Sequence, residues 1–315
     1  MDRRTFVKNT GLAAATVPFM GMSNPAPSIQ KKHLICIFSK HLQWLDFEDV
    51  GKYVRDLGFD GVDLAVRKNG HVLPEEVETV LPKAIELIKK SGVDVPMMAT
   101  NISGVDSPYA LSVIKTAAKH GIKFYRMEYI NFDYSMSMEA NLLSIRKGIE
   151  KLAALNEAYG IKTSYQNHSG TAVGSAIWDM WYVLKEIESI HVGLQFDVRH
   201  AVVEGGESWE NEMRLAKDFT NCTVLKDFHW EKLNNGKWDI KNVPLGEGMV
   251  DFDTYFEHYK NFNFPGPISL HIEYPMFDEQ DKTLTKKEKF KFATKFLSKE
   301  LEFIRNGMTK AGITL

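Results

Sequence analysis

From residue 33 onward one unit recurs along this chain: a short apolar run, a polar loop, then a stretch whose apolar residues return with a period of about 3.6. The apolar runs are residues 33–38, 61–66, 95–100, 122–128, 162–166, 192–197, 223–227 and 268–273. In the first stretch between them Phe47, Val50, Val54 and Leu57 share one helical face; in the second Val77, Val80, Leu81, Ala84, Ile85 and Ile88 do so. Turn signals at Leu57-Gly58-Phe59, Ser91-Gly92 and His120-Gly121 stand just ahead of the next runs. Eight strands alternating with helices over roughly 280 residues is the arithmetic of a (β/α)8 barrel, whose usual size is about 250. The rival is a doubly wound sheet, which usually carries a glycine-rich phosphate loop after its first strand. Here the first run enters Ser39-Lys40-His41-Leu42-Gln43-Trp44, with no glycine. The sequence therefore predicts an α/β chain with a single (β/α)8 TIM barrel, no second domain and no nucleotide cofactor.

Charge narrows the partners. Thirty-nine basic against 41 acidic residues give a net charge of −2. No positive excess is available to neutralise phosphates, so nucleic acid is not an expected partner. Cys36 and Cys222 match no zinc or redox spacing and are expected as buried free thiols. Residues 1–24 read as a twin-arginine export signal: Arg3-Arg4 with Phe6 and Lys8, then a mildly apolar run over residues 12–20. That run is too short to insert in a membrane as a spanning helix. Residues 25–32 read as a linker and 33–315 as the barrel. Loss of the signal takes the net charge from −2 to −4. The export machinery is the expected partner of the signal, and the expected location of the mature protein is periplasmic.

A barrel of this kind carries its chemistry at the C-terminal ends of its strands. The ends of the eight runs supply His41, His71, Arg126, Glu128, Gln166, His168, Asp197, Arg199, His200, Lys226, Asp227, His229, His271 and Glu273. Strand residues alternate sides, so Gln166 with His168 and His271 with Glu273 share rows. A carboxylate closing an apolar run is costly to bury alone. Asp197 and Glu273 are therefore either paired with a cationic side chain or hold a cation. Trp44, Trp178, Trp209, Trp230, Tyr129 and Tyr274 are aromatic candidates for stacking on a sugar ring.

The segments Phe59-Asp60-Gly61-Val62-Asp63-Leu64, Gln166-Asn167-His168, Gln195-Phe196-Asp197-Val198-Arg199-His200, Leu225-Lys226-Asp227 and Leu270-His271-Ile272-Glu273 resemble those of the xylose-isomerase-like TIM-barrel superfamily. Within it the chain is similar to exported sugar phosphate isomerase/epimerase-like proteins of bacteria. The resemblance covers about residues 33–305 and implies a small-molecule carbohydrate as ligand. It also implies a divalent cation, manganese or zinc, on four ligands. Carried over one at a time, these fall on Gln166, Asp197, Val224 and Glu273. Two are good ligands, the amide of Gln166 is a weaker one, and Val224 cannot ligate. The expectation is a cation bound weakly or not at all, with the Lys226 ammonium taking part of its electrostatic role; the family alternative is a tightly held metal.

The implied chemistry is abstraction of a proton next to a carbonyl of a sugar or sugar derivative. Glu273 is the expected base, with Glu128 or His168 as its partner. Lys226 either stabilises the enolate oxygen or serves only as the salt-bridge partner of Asp197 and Glu273. His41, His71, Arg126, His168, His200 and His229 are expected to position hydroxyl or phosphate groups. Two other readings stay open: a lyase or hydrolase of keto-sugars, which needs one base, and a non-catalytic sugar-binding barrel.

Overall fold

The computed structural model describes residues 33–277 and 284–314; the signal and linker expected over residues 1–32 lie outside the described residues. Strands and helices alternate as β1 (Ile35–Phe38), α1 (Phe47–Leu57), β2 (Gly61–Val66), α2 (Val77–Lys90), β3 (Asp94–Thr100), α3 (Ala110–Lys119), β4 (Phe124–Arg126) and α4 (Met138–Tyr159). They continue as β5 (Lys162–Gln166), α5 (Ile177–Leu184), β6 (Val192–Asp197), α6 (Val198–Gly205), α7 (Trp209–Ala216) and β7 (Thr220–Leu225). A hairpin of β8 (Asp227–Lys232) and β9 (Trp238–Val243) follows, then α8 (Phe252–Phe262), β10 (Ile268–Leu270) and α9 (Lys286–Lys310). Eight parallel strands close in the order β1-β10-β7-β6-β5-β4-β3-β2, with Ile35 opposite Ile268 at the seam. The fold is a TIM barrel.

The reasons are local. Every residue of β1, β2, β6 and β7 is buried, as strands covered on both faces require. Helix α1 starts at Asp46, whose carboxylate accepts from the Asp49 N–H, and stops at Gly58, whose φ of 93° is left-handed. Its buried stripe of Val50, Tyr53 and Val54 packs on the barrel, and α2 turns Val77, Leu81, Ala84, Ile85 and Ile88 inward. Cys36 and Cys222 are free and fully buried.

The main apolar core lies between strands and helices. Inside the barrel the composition changes. Two-residue alternation and the register place Asp63, Arg126, Ser164, Gln166, Gln195, Asp197, Val224 and Ser269 on the lumen side. All are buried, and only Phe38, Ala65 and Ala99 form a small apolar cluster of their own.

Strand boundaries differ from the sequence reading at several places: β4 is only Phe124–Arg126 and β10 only Ile268–Leu270, so Glu128, His271 and Glu273 stand on the loops beyond them. Strand β7 begins at Thr220, three residues before the predicted run, and ends at Leu225. Asp227 does not close that strand; it opens the antiparallel hairpin, opposite Val243. The hairpin is mostly exposed, with a turn at Gly236 (φ 83°), so it has no apolar run to announce it. No helix among the described residues is long and apolar enough to cross a membrane.

Candidate active site at the barrel mouth

Asp197 is the last residue of β6, fully buried, and its placement is doubly fixed. The Asn167 side chain accepts from the Asp197 N–H at 2.7 Å and donates to its carbonyl at 2.9 Å. The Asp197 carboxylate also caps α6, accepting from the His200 N–H at 3.3 Å. Its Oδ2 accepts from Gln166 Nε2 at 2.7 Å and pairs with Lys226 Nζ at 3.0 Å. Lys226 follows β7 and is itself buried, with Nζ 3.6 Å from Glu273 Oε1 and 2.9 Å from His200 Nε2. The ammonium thus lies between the two carboxylates singled out from sequence.

Gln166 has no oxygen to spare. Its Oε1 accepts from Arg126 Nη1 and from the Tyr129 hydroxyl, both at 2.9 Å. A guanidinium only donates, so this contact fixes which end of the amide is oxygen and turns the NH2 toward Asp197. Arg126 also lies over the Tyr129 ring, 5.2 Å from its centroid. Its Nε and Nη2 are buried without a hydrogen-bond partner, as are both amide atoms of Gln195 and Oδ1 of Asp63, while Nε2 of His271 lies 3.5 Å from Asp63 Oδ2. These atoms give the lumen hydrogen-bonding capacity for a polar ligand.

His41, His168, His200 and His271 are pushed toward their neutral forms. Burial first, then the charge of Lys226, pushes His200 and His271 well below the ordinary imidazole range and lowers His168. Burial takes His41 down to about 3, against the pull of Glu273. His41 Nε2 accepts from the Ile272 N–H at 2.9 Å, tying the loop that carries Glu273 to the loop after β1. His168 Nδ1 lies 2.9 Å from the Ser169 carbonyl, so it carries the proton and leaves Nε2 as an acceptor. Its ring stacks 4.0 Å from His200 and 4.8 Å from Tyr129. Burial raises the Glu273 carboxyl, but Lys226 and Lys40 outweigh it and hold it below the usual carboxylate range. Its side chain is 32% exposed, open to the mouth.

Other candidates lie further out. Both Glu128 oxygens are engaged, Oε2 by Asn101 Nδ2 and Oε1 by the Tyr129 N–H. His71 Nδ1 is 3.0 Å from Ser39 Oγ, under the loop after β2. His229 is carried out on the hairpin opposite Lys241. Arg199 donates to Asn242 of that hairpin at 2.7 Å. Sequence reasoning did not single out Asn101, Ser169 or Ser269. Ser169 Oγ is 2.8 Å from His200 Nδ1, and Ser269 donates to Asp63 at 2.8 Å. The cue was available for Ser169, which follows His168, and for Ser269, two residues before His271, but not for Asn101, since the end of the third run supplied no candidate.

The donor set does not fit a divalent cation. A catalytic centre supplies three or more good ligands and an open position. Here Asp197 and Glu273 already share an ammonium, the Gln166 oxygen is capped, and the register sets apolar Val224 beside Asp197. Among the described residues no group of three or more His, Cys, Asp or Glu side chains is arranged to hold a metal.

Three comparisons bear on this site. A family model described as a xylose isomerase-like TIM barrel matches residues 52–297. An inosose dehydratase of Clostridium perfringens is 27% identical over 144 residues, 41% of this chain and 46% of that protein. The chain therefore aligns with less than half the length of that relative. Among solved structures, an L-ribulose 3-epimerase superposes with a TM-score of 0.66 at 14% identity, covering 89% of this chain and 96% of the other. A xylose isomerase-like barrel from Mycobacterium smegmatis, solved with magnesium, also gives 0.66, at 13% identity and with 89% and 97% covered.

Proposed function

This chain belongs to the xylose isomerase-like TIM-barrel family, and on that premise we propose that it is a carbohydrate-active enzyme of the isomerase or epimerase type. It takes a proton from the carbon next to a carbonyl of a sugar or sugar derivative. The observation that carries this reading is the Lys226 ammonium between buried Asp197 and mouth-facing Glu273. Glu273, held ionised by Lys226 and Lys40, is the base. Lys226 offers positive charge to the developing enolate oxygen in a water-poor site. His168 Nε2, an acceptor, takes the proton of the hydroxyl next to the carbonyl and passes it to the enolate oxygen, in preference to Glu128, whose oxygens are both engaged, while Glu273 returns the proton to carbon. Arg126, through its unpartnered Nε and Nη2, holds a hydroxyl group in register, while His41 and His200 are tied to Ile272, Ser169 and Lys226 and shape the site. No step runs through a metal. The inosose dehydratase and epimerase likenesses support a sugar-type ligand.

The test is solvent exchange. Keto-sugars incubated with the protein in D2O should gain carbon-bound deuterium, and Glu273→Gln should slow this by about 100-fold or more. Binding without exchange would sink the enzyme reading in favour of a sugar-binding barrel. One observation favours a second reading, elimination from a keto-sugar: pinned, neutral Gln166 cannot act as an opposing base. Product mass separates the two, since elimination loses water and isomerisation does not. Export by the twin-arginine route to the periplasm belongs to the same proposal, supported by Arg3-Arg4, Phe6 and Lys8. A fusion of residues 1–24 to a folded reporter should be exported, and Arg3→Lys with Arg4→Lys should retain it in the cytoplasm.

A further inference from the structure

Beside the mouth a second cleft of about 530 Å³ opens between the loop after β2 and the loop after β3. Leu73, Pro74 and Pro108 supply apolar wall, Asn69 and Asn101 supply amides, and Tyr109 stands at its edge. None of the aromatic candidates read from sequence lines it. Its volume lies within the roughly 300–1,000 Å³ usual for small-ligand sites.

The backbone marks this cleft independently. Three described non-glycine residues have left-handed φ, and two of them, Asn69 (58°) and Tyr109 (61°), line it. Asparagine tolerates that region, whereas a tyrosine there is strained. The Tyr109 backbone is the N-cap of α3, its carbonyl accepting from the Val113 N–H at 2.9 Å. Tyr109 is 52% exposed, and no ring contact or side-chain hydrogen bond engages it among the described residues. Such strain concentrates at ligand clamps.

Hydrogen bonds link the wall of this cleft to the catalytic cluster. Asn101 Oδ1 accepts from the Lys68 N–H at 2.6 Å, while its Nδ2 donates to Glu128. Glu128 Oε1 accepts from the Tyr129 N–H, and the Tyr129 hydroxyl donates to Gln166, the neighbour of Asp197.

We propose that this cleft is a subsite for a second sugar ring, so that the substrate is a glycoside of at least disaccharide size. The inference rests on the carbohydrate reading above. The reacting ring lies at Glu273 and Lys226; the second lays its apolar C–H face on Tyr109 and turns its hydroxyls to the Asn69 amide, with Asn101 held between the Lys68 N–H and Glu128 as the wall that joins the two. An exposed aromatic ring beside a few fixed polar groups suits a pyranose, which has one apolar face and a polar rim.

The experiment is calorimetric titration of the full chain and of Tyr109→Gly with glucose, maltose, cellobiose and trehalose. Glycine adopts φ near +60° without strain, so this variant keeps the fold while losing the ring. The wild-type protein should bind at least one disaccharide about tenfold or more tighter than glucose. Tyr109→Gly should bind glucose as before, lose the preference, and melt no earlier than the wild type. Equal affinity for glucose and all three disaccharides, or a variant that keeps the preference, would overturn the subsite while leaving the carbohydrate reading intact. Failure of the wild type to bind any of the four would overturn both.

Discussion

Lys226 separates two carboxylates that would otherwise repel each other across the lumen. It is 4% exposed, Asp197 is fully buried, and their atoms are 3.0 Å apart. Removing one partner of such a pair leaves the other charged and dehydrated, at a cost of about 3–5 kcal/mol. Lys226→Met, similar in length but uncharged, should show a loss of that size in urea unfolding and should abolish deuterium exchange. Exchange by the wild type should persist in EDTA. A stoichiometric metal that disappears in Asp197→Ala would refute the role given to the ammonium. That Asp197, Glu273 and Lys226 meet was legible in the sequence, because charged residues two apart from an apolar run's inward face must find one another. The lock on Gln166 was not. It depends on Arg126, at the end of the short β4, and on Tyr129, placed by the loop after it, neither of which leaves a spacing to read.

At the scale of elements, α9 holds the mouth from behind. Its Glu300 is buried, accepts from the Leu245 N–H at 3.1 Å and from the Tyr274 hydroxyl, and so ties the segment after the hairpin to the loop bearing Glu273. Burial pushes its carboxyl up to about 7, with Glu247 and Asp227 adding to the rise and the two hydrogen bonds opposing it. A carboxyl raised in the folded state binds more protons folded than unfolded. Its contribution is therefore fully present below the unfolded value of about 4.5 and is lost as pH rises through about 7. Glu300→Gln keeps the shape and removes the titration. Relative to the wild type, the variant should gain on the order of 3 kcal/mol between pH 4.5 and pH 8 in urea unfolding. A wild-type-minus-variant difference that stays flat over that range would show that Glu300 does not titrate there. The barrel elements themselves were legible, because the outward row of most strands is apolar against a one-sided helix, even where the lumen row is polar, as in Lys162–Gln166. The hairpin was not, because half-exposed strands such as β8 carry Asp227, His229 and Glu231 among their aromatics and mimic a loop.

For the whole molecule the question is whether an ion is part of the folded structure. The barrel closes on backbone pairing through all eight strands, and its lumen charges are matched internally at Asp197, Lys226 and Glu273. A ligand that binds only the folded chain stabilises it in proportion to ln(1 + [L]/Kd). At 1 mM Mn2+ a site with micromolar Kd would therefore add about 4 kcal/mol, whereas one with millimolar Kd would add about 0.4. For a chain near this size the first corresponds to a rise in Tm of several degrees and the second to roughly 1 °C. The donor set argues for the second. The melting temperature of protein purified without chelator should move by no more than about 1 °C on adding EDTA, or on adding 1 mM Mn2+ or Zn2+ afterwards. Lys226→Met frees Asp197 and Glu273 for a cation, so its melting temperature should rise more steeply with Mn2+ than that of the wild type. A wild-type shift of several degrees, reversed by EDTA, would mean that a cation displaces the ammonium and that the charge arrangement drawn from Asp197, Lys226 and Glu273 is wrong.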